Sequence, residues 1–245
     1  MPCAGPSVLE RGAPAGAIRR VACLDLSTWW GGVALVEQIA PGTEPVVVAE
    51  IGALVHDSHA LHLLSWIERL LAEAGWSRSS LDGFVATRGP GSFTGVRVGL
   101  GTIRGLAIAS GQPCAAVPTL EAMAQAHGPA GLDRIAVLAA GRGEIFAARY
   151  DGPSSPPRAL GPPWLGGPAS LDDALGATGL LIPARGHEER VRAIAAERGY
   201  ACAPAVRGVA AAAGWLALVG GAFAEGELAP LYLRPPVVEL DRDAD

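Results

Sequence analysis

Apolar and polar residues follow one another along this chain with two different periods. Short apolar runs that end at Gly, Pro or polar residues are typical of strands, whereas apolar residues spaced three and four apart indicate helices. In the first half of the chain these patterns predict the order β-β-β-α-β-α-β-α. The predicted strands are residues 20–26, 31–37, 45–52, 81–87 and 114–117, and the predicted helices are 61–74, 94–110 and 119–126. Short turns join the first three strands, which favours an antiparallel meander.

The second half of the chain repeats this order in a shorter form. It begins near Ile135 with two strands, and a loop rich in Pro and Gly follows at 151–168. The predicted elements are strands 135–139, 144–150 and 179–183, helices 170–175, 188–198 and 206–225, and an extended tail at 228–234. Two lobes with a mixed sheet in each are typical of the actin-like (ribonuclease H-like) α/β fold. We therefore expect a disordered extension at 1–18, an N-terminal lobe at 19–118 and a smaller C-terminal lobe at 119–245.

Composition narrows the function classes. All 19 basic residues are Arg, so the chain has neither a Walker lysine nor a Schiff-base lysine. The net charge of −5 disfavours independent high-affinity binding of nucleic acid. The four cysteines lie far apart without a Cys-x-x-Cys pair, which is typical of free thiols in a reducing cytosol. No stretch has the length and apolar character of a membrane span, so we expect a cytoplasmic protein.

A glycine-rich stretch, Arg88-Gly-Pro-Gly-Ser-Phe-Thr-Gly-Val-Arg-Val-Gly99, joins a predicted strand to a predicted helix. The Gly-Pro-Gly sequence predicts a tight turn, and Ser92 or Thr94 can cap the first amides of the helix. A strand, a glycine turn and a helix N-terminus together form a plausible anion site. Asp25 at the end of the first strand is as well suited to capping a turn as to a phosphate site. The candidate anion or nucleotide site consists of Asp25, Ser27, Thr28, Gly91, Ser92 and Thr94.

The predicted helix 94–110 carries an unusual number of small residues. Gly95 and Gly99 are four apart, and Gly101, Gly105 and Ala109 repeat the same spacing. Each glycine inside a helix costs about 1 kcal/mol relative to alanine. The small residues therefore predict that another backbone packs closely against this helix.

Two arginines, Arg97 and Arg104, lie seven residues apart on one face of the same helix. They are suited to binding a phosphate or a partner carboxylate, and simple solvated charges are the common alternative.

Four motifs resemble those of one family. The stretch Gly89–Arg97 resembles the signature of the TsaB (YeaZ) family, and Asp25–Thr28 resembles the Asp motif of its first strand. Ser58–Leu61 resembles the His segment that opens its first helix, and Leu231–Arg234 resembles its C-terminal Tyr-Leu-Arg ending. The motifs agree in order and spacing, and the resemblance covers residues 21–237.

The resemblance implies a function as well as the actin-like fold. Members of this family are regarded as non-catalytic scaffold subunits in the complex that installs threonylcarbamoyl on the tRNA adenosine beside the anticodon. They dock the larger catalytic homologue TsaD, which holds the metal, and a small ATPase, TsaE, joins the assembly. The resemblance also implies that homodimers form and that the subunit contacts tRNA only through the complex. It further implies that the subunit binds no cofactor tightly, although ATP enters the assembled complex.

In the family the pairing surface uses helices of the N-terminal lobe. The partner interface carried over to this chain is His59, Leu63, Trp66, Leu70, Gly95, Val98, Gly101, Thr102, Gly105 and Ala109. The chain departs from the family at the hairpin of the second lobe, where an Asp-Ala-Arg pattern is replaced by Ala139-Ala140-Gly141 before Gly143 and Glu144. Loss of this acid weakens any expectation that the chain hydrolyses a nucleotide.

Two other function classes stay open at this stage. One is a self-sufficient nucleotide-binding enzyme of ATPase or kinase type. The other is a metallopeptidase-like protein, suggested by His56, His59 and His62. No matching carboxylate stands within this histidine motif. Ser92 does not fit a nucleophile elbow, because Pro90 and Thr94 stand where glycines are required.

Overall fold

The computed structural model describes residues 19–54, 60–223 and 228–233. The predicted extension at 1–18, together with His56, His59 and Arg234, lies outside the described residues. The strands are β1 Arg20–Asp25, β2 Trp30–Glu37, β3 Val46–Leu54, β4 Gly83–Thr87, β5 Cys114–Val117, β6 Arg134–Gly141, β7 Glu144–Tyr150, β8 Trp164–Gly166, β9 Leu180–Pro183 and β10 Ala201–Cys202. The helices are α1 Ala60–Ala74, α2 Phe93–Ser110, α3 Thr119–His127, α4 Leu171–Leu175, α5 Glu188–Arg198 and α6 Val209–Gly220.

The strands form two five-stranded mixed sheets with the same topology. The first has the order β3-β2-β1-β4-β5, in which β1, β2 and β3 are antiparallel and β4 and β5 run parallel to β1. The second has the order β10-β9-β6-β7-β8, with β6 in the place of β1 and with β9 and β10 parallel to it. The predicted repeat and the predicted meander are therefore confirmed. Sequence analysis missed β8 and β10.

Alternation along β1 explains the layers around the first sheet. Ala22 and Leu24 point to the face that α1 and α2 cover, whereas Val21 and Cys23 point to the face that α6 covers. Helix α6 follows the second sheet in the chain but packs on the first. The expected boundary at residue 118 places α6 in the C-terminal lobe because of its position in the sequence. This boundary stays a prediction.

The second sheet is layered in the same way. Helix α3 covers one of its faces and also contacts α6, while α4 and α5 cover the other face. None of the helices in the described residues combines the length and the apolar character that a membrane-spanning helix needs.

Candidate functional site

The end of β1 and the glycine-rich turn are bound together by backbone and side-chain contacts. The Ser92 amide donates a hydrogen bond to the Ser27 carbonyl oxygen over 2.7 Å. The Asp25 Oδ1 atom accepts from the Ser27 amide at 3.1 Å and from the Thr87 hydroxyl at 2.7 Å. Asp25 therefore caps the turn after β1 and links this turn to β4. This is the turn-capping role that the sequence left open beside a phosphate site.

Two glycines are required by the close approach of this turn to the start of α2. A Cβ atom at Gly91 would overlap the Ser27 carbonyl oxygen, and one at Gly95 would overlap the Leu26 carbonyl oxygen. Gly95 is buried against its own chain. Its assignment to the partner interface is therefore wrong, and a backbone of the same lobe explains why the position is glycine.

Ser92 caps α2, because its hydroxyl oxygen accepts from the Gly95 amide at 3.1 Å. Thr94 lies within the helix and is exposed. The six residues expected to form one anion site do not all line the same cleft. Asp25, Ser27 and Thr28 line a cleft between the lobes, and Gly91, Ser92 and Thr94 do not.

This cleft is small and of mixed charge. Its volume is about 180 Å³, and residues from both lobes line it. The acidic residues Asp25 and Glu50 line it together with the basic residues Arg185 and Arg207. Pockets that bind drug-sized ligands typically measure about 300–1,000 Å³. The cleft is smaller than such pockets, and charged side chains of both signs line it.

A cation–π contact spans the cleft. The Arg185 guanidinium, which follows β9 in the second lobe, lies 3.3 Å from the centre of the Trp30 ring in the first lobe. The Trp30 ring itself lies across Gly52 of the neighbouring strand, where a Cβ atom would be 2.6 Å from the indole nitrogen. The two lobes are thus joined at the cleft by a stacked pair.

Helix α2 has one face in the core and one face open to solvent. Leu100 and Ile103 are buried against the first sheet. On the opposite face Gly101 and Gly105 are exposed, and a Cβ atom added to either would meet no atom of the described residues within 4 Å. The described part of the chain therefore gives no steric reason for glycine at these two positions.

The remaining predicted interface residues divide between surface and core. Ala109 is exposed beside Gly105, and Thr102, Val98 and Trp66 are half-buried. Leu63 and Leu70 are wrongly assigned, because each is 1% exposed in the core that α1 forms with the sheet. His59 lies outside the described residues.

The C-terminal segment docks at the start of α2. The Leu231 amide donates to the Arg88 carbonyl oxygen at 2.7 Å, and a Cβ atom at Gly89 would be 3.0 Å from the Leu231 carbonyl oxygen. The Arg97 Nε atom donates to the Tyr232 hydroxyl at 2.7 Å. Sequence analysis missed this contact between two of the four motifs. The two residues are 135 positions apart in the sequence, so no local pattern could have indicated the contact.

His187 supports the hairpin that β6 and β7 form in the second lobe. Its Nδ1 atom accepts a hydrogen bond from the Ala139 amide at 3.1 Å, and nearby the Arg190 side chain donates to the Glu144 carbonyl oxygen at 3.2 Å. Burial lowers the pKa of His187, Arg190 lowers it further, and Glu188 opposes the shift.

We expect the free energy of unfolding to fall in acid because of His187. The unfolded chain binds the imidazole proton near the ordinary pKa of about 6.5, whereas the folded chain binds it only at lower pH. Stability is therefore full above this ordinary pKa and decreases as the pH falls through it towards the lowered value. The His187→Asn variant keeps an acceptor but does not titrate. Thermal melts across this pH range would contradict the assignment if wild type and variant lost stability in parallel.

A metal centre finds no support in the described part of the chain. Those residues include no group of three His, Cys, Asp or Glu side chains that could hold a metal ion. His62 stacks on Trp66 with ring centres 5.8 Å apart. His56 and His59 are not described, so the histidine cluster as a whole stays untested.

Two sheets of identical strand order, each covered by helices on both faces, define a two-lobed actin-like protein. YeaZ from Pseudomonas aeruginosa superposes on 88% of this chain and all of that chain, with a TM-score of 0.66 and 25% identity. The chain is similar in sequence and in fold to proteins named TsaB or YeaZ.

Sequence relatives agree with this similarity. The TsaB protein of Haemophilus influenzae is 42% identical over 76 residues, which are 31% of this chain and 32% of that protein. An uncharacterized protein of Mycobacterium bovis is 31% identical over 193 residues, 78% of this chain and 82% of that protein. The alignments with the TsaB proteins cover from about a third to about half of their length. The family model "TsaD: tRNA N6-adenosine threonylcarbamoyltransferase" matches residues 51–154.

Proposed function

We propose that the chain is a non-catalytic scaffold subunit of the complex that installs threonylcarbamoyl on the tRNA adenosine beside the anticodon. In this proposal it acts in the cytoplasm and docks the catalytic TsaD-like homologue through the exposed face of α2. A TsaE-like small ATPase joins the pair, and tRNA is met only through the complex. The isolated chain holds no tight cofactor, ATP belongs to the assembled complex, and the chain also forms homodimers. The relatives' names, which refer to threonylcarbamoyladenosine biosynthesis and to the transferase, support this role.

The observation that carries the proposal is the open space beside Gly101 and Gly105. Each glycine costs its helix about 1 kcal/mol relative to alanine. Within α2, Gly95 is required by the Leu26 carbonyl, whereas these two glycines meet nothing in the described chain. A partner backbone that approaches closely would account for both.

Helices α1 and α2, which cover the same face of the first sheet, each carry an exposed apolar side chain. Ile108 on α2 is 58% exposed, and Leu64 on α1 is 56% exposed. Exposed apolar side chains near a flat helix surface are characteristic of protein interfaces. The match to the TsaD model includes both helices, which supports a partner with related helices that pairs in a similar way.

Co-expression of the tagged chain with the TsaD-like homologue of the same organism tests the proposal. We expect the two to co-elute, with a light-scattering mass equal to one copy of each or a multiple of that unit. The tagged chain run alone reports on the homodimer. Separate elution of the two proteins at micromolar concentration would contradict the proposal.

One observation favours a second function, a self-sufficient ATPase or kinase-like enzyme. Asp25 lines the cleft between the lobes, and so does Ser27, whose buried hydroxyl has no hydrogen-bond partner among the described residues. The small cleft volume and the Trp30–Arg185 contact count against a bound nucleotide. The scaffold proposal expects ATP turnover by the purified chain to stay at background. The alternative expects turnover that Asp25→Asn removes.

The metallopeptidase-like alternative rests on the histidines alone. It expects a metal ion retained through purification, which elemental analysis of the purified chain would detect.

A further inference from the structure

The guanidinium group of Arg97 is held on two sides although the residue lies on the surface. Its Nε atom donates to the Tyr232 hydroxyl at 2.7 Å, and its carbon lies 3.7 Å from the centre of the Phe93 ring. The two aromatic rings are 5.4 Å apart, and Phe93 is 44% and Tyr232 38% exposed. Stacking occupies the face of a guanidinium and leaves its edge free to donate hydrogen bonds.

The Nη groups of Arg97 donate no hydrogen bond and form no ion pair within the described part of the chain. Two parallel N–H groups on the edge of a guanidinium match the two oxygens of a carboxylate. Because the side chain is already held, less rotamer entropy is lost when an anion binds. Arg97 is thus prepared to bind an anion that approaches from outside the chain.

The charge around this arginine favours a protein carboxylate over nucleic acid. Helix α2 carries Arg97 and Arg104 and contains no acidic residue, whereas the whole chain has a net charge of −5. Nucleic-acid binding requires an extensive basic surface, and two arginines on an acidic protein do not provide one. A partner helix that lies against Gly101 and Gly105 would bring its side chains close to Arg97.

We propose that Arg97 is a specificity-determining residue of the α2 face and binds an Asp or Glu side chain of the docked TsaD-like partner. Tyr232 and Phe93 are positioning residues, so the C-terminal segment is part of the binding surface. This inference rests on the proposed function and adds the partner chemistry at one end of the interface.

Isothermal titration with the purified TsaD-like homologue tests the inference at low and at high salt. Arg97→Glu reverses the charge and is expected to weaken binding by roughly 30-fold or more at low salt. Arg97→Lys keeps the charge but cannot form the bidentate hydrogen bonds of a guanidinium, so we expect a smaller loss of affinity, about 5-fold. Arg192→Glu is the matched control, because Arg192 is an exposed arginine within α5 of the other lobe. The control is expected to bind as wild type does.

The positioning role has its own readout. Tyr232→Phe keeps the ring but removes the hydroxyl that accepts from Arg97, so we expect about a 3-fold loss of affinity with an unchanged melting temperature. The same substitution made together with Arg97→Glu is expected to add no further loss. Independent, additive effects would contradict the positioning role.

The failures of the inference and of the proposed function can be told apart. If the wild-type chain does not bind the homologue, the proposed function fails. If wild type binds and Arg97→Glu binds equally well, the inference alone fails. If Arg97→Glu weakens binding of the isolated chain to tRNA and leaves the affinity for the homologue unchanged, the anion is a phosphate and the inference is overturned. Circular dichroism of every variant shows whether it is folded, so that misfolding is not mistaken for lost binding. Arg97→Gln is included as an uncharged replacement.

Discussion

The Gly105→Leu substitution is expected to weaken binding of the TsaD-like partner by about 10- to 100-fold while the chain stays folded. Gly105 is exposed, and no atom of the described residues lies within 4 Å of the position that a Cβ atom would take, so we expect a leucine side chain to fit in the free chain. In the complex the same side chain would stand between two closely packed backbones. Overpacking of this kind typically costs about 1–3 kcal/mol, and each 1.4 kcal/mol lowers affinity about tenfold.

The matched control for this variant differs from it in the size of the added side chain. Gly105→Ala adds one methyl group and is expected to lose much less affinity than Gly105→Leu. Both substitutions remove the glycine cost from α2, so the melting temperature of the free chain should rise or stay constant. Calorimetric titration gives the affinities, and thermal melts give the stabilities. Equal affinity for wild type and Gly105→Leu would show that this face of α2 is not the docking surface.

The second large effect is expected on stability, from Gly95→Ala. The added methyl group would overlap the Leu26 carbonyl oxygen and would lie 3.2 Å from the Ser92 hydroxyl that caps the helix. Because the nearest obstacle is backbone, relief requires α2 to move away from β1. We expect a loss of about 3 kcal/mol in the free energy of unfolding, the upper end of the usual cost of overpacking.

Gly101→Ala is the control for that change, because it lies in the same helix but meets open space. Here we expect the opposite sign, a gain of about 1 kcal/mol from better helix propensity. Urea denaturation of both variants measures the two effects. Similar free energies of unfolding for the two variants would contradict the distinction between a glycine that the chain needs and one that it does not.

These two glycines also show how far sequence analysis reaches. The spacing of small residues correctly indicated that α2 meets backbone at close range, but it did not separate the face that meets Leu26 from the face that is open. Gly95 and Gly101 are six residues apart, and at 3.6 residues per turn they lie on different sides of the helix. Only the packing of α2 on its sheet decides which side is buried.

The two leucines of α1 were misassigned for a related reason. Leu63 and Leu70 belong to the apolar stripe that also contains Ile67, and the helix uses this stripe to cover its own sheet. Periodicity identifies the stripe but does not say whether it packs within the chain or on a partner. Leu64 on the same helix is 56% exposed and is therefore the better interface candidate.

Most of the fold was predictable from the sequence, because the apolar patterns that indicate strands and helices follow the same order in both halves of the chain. The short edge strands β8 and β10 were missed, since two or three residues inside loops carry no periodic signal. The contact between Arg97 and Tyr232 joins residues 135 positions apart, and no local pattern predicts it. His187 was missed for the same reason, since its hydrogen bond to Ala139 depends on tertiary structure.

The most direct test of the central claim is the rate of threonylcarbamoyladenosine formation measured against the concentration of this chain. The reaction would contain fixed amounts of the TsaD-like homologue, the TsaE-like ATPase, tRNA and the activated threonylcarbamoyl donor. A scaffold subunit predicts a rate that rises until the chain is equimolar with the homologue and then stays constant, and Gly105→Leu should need a much higher concentration to reach the same plateau. A rate that is independent of the chain, that keeps rising beyond the equimolar point, or that is unchanged by Gly105→Leu would contradict the account.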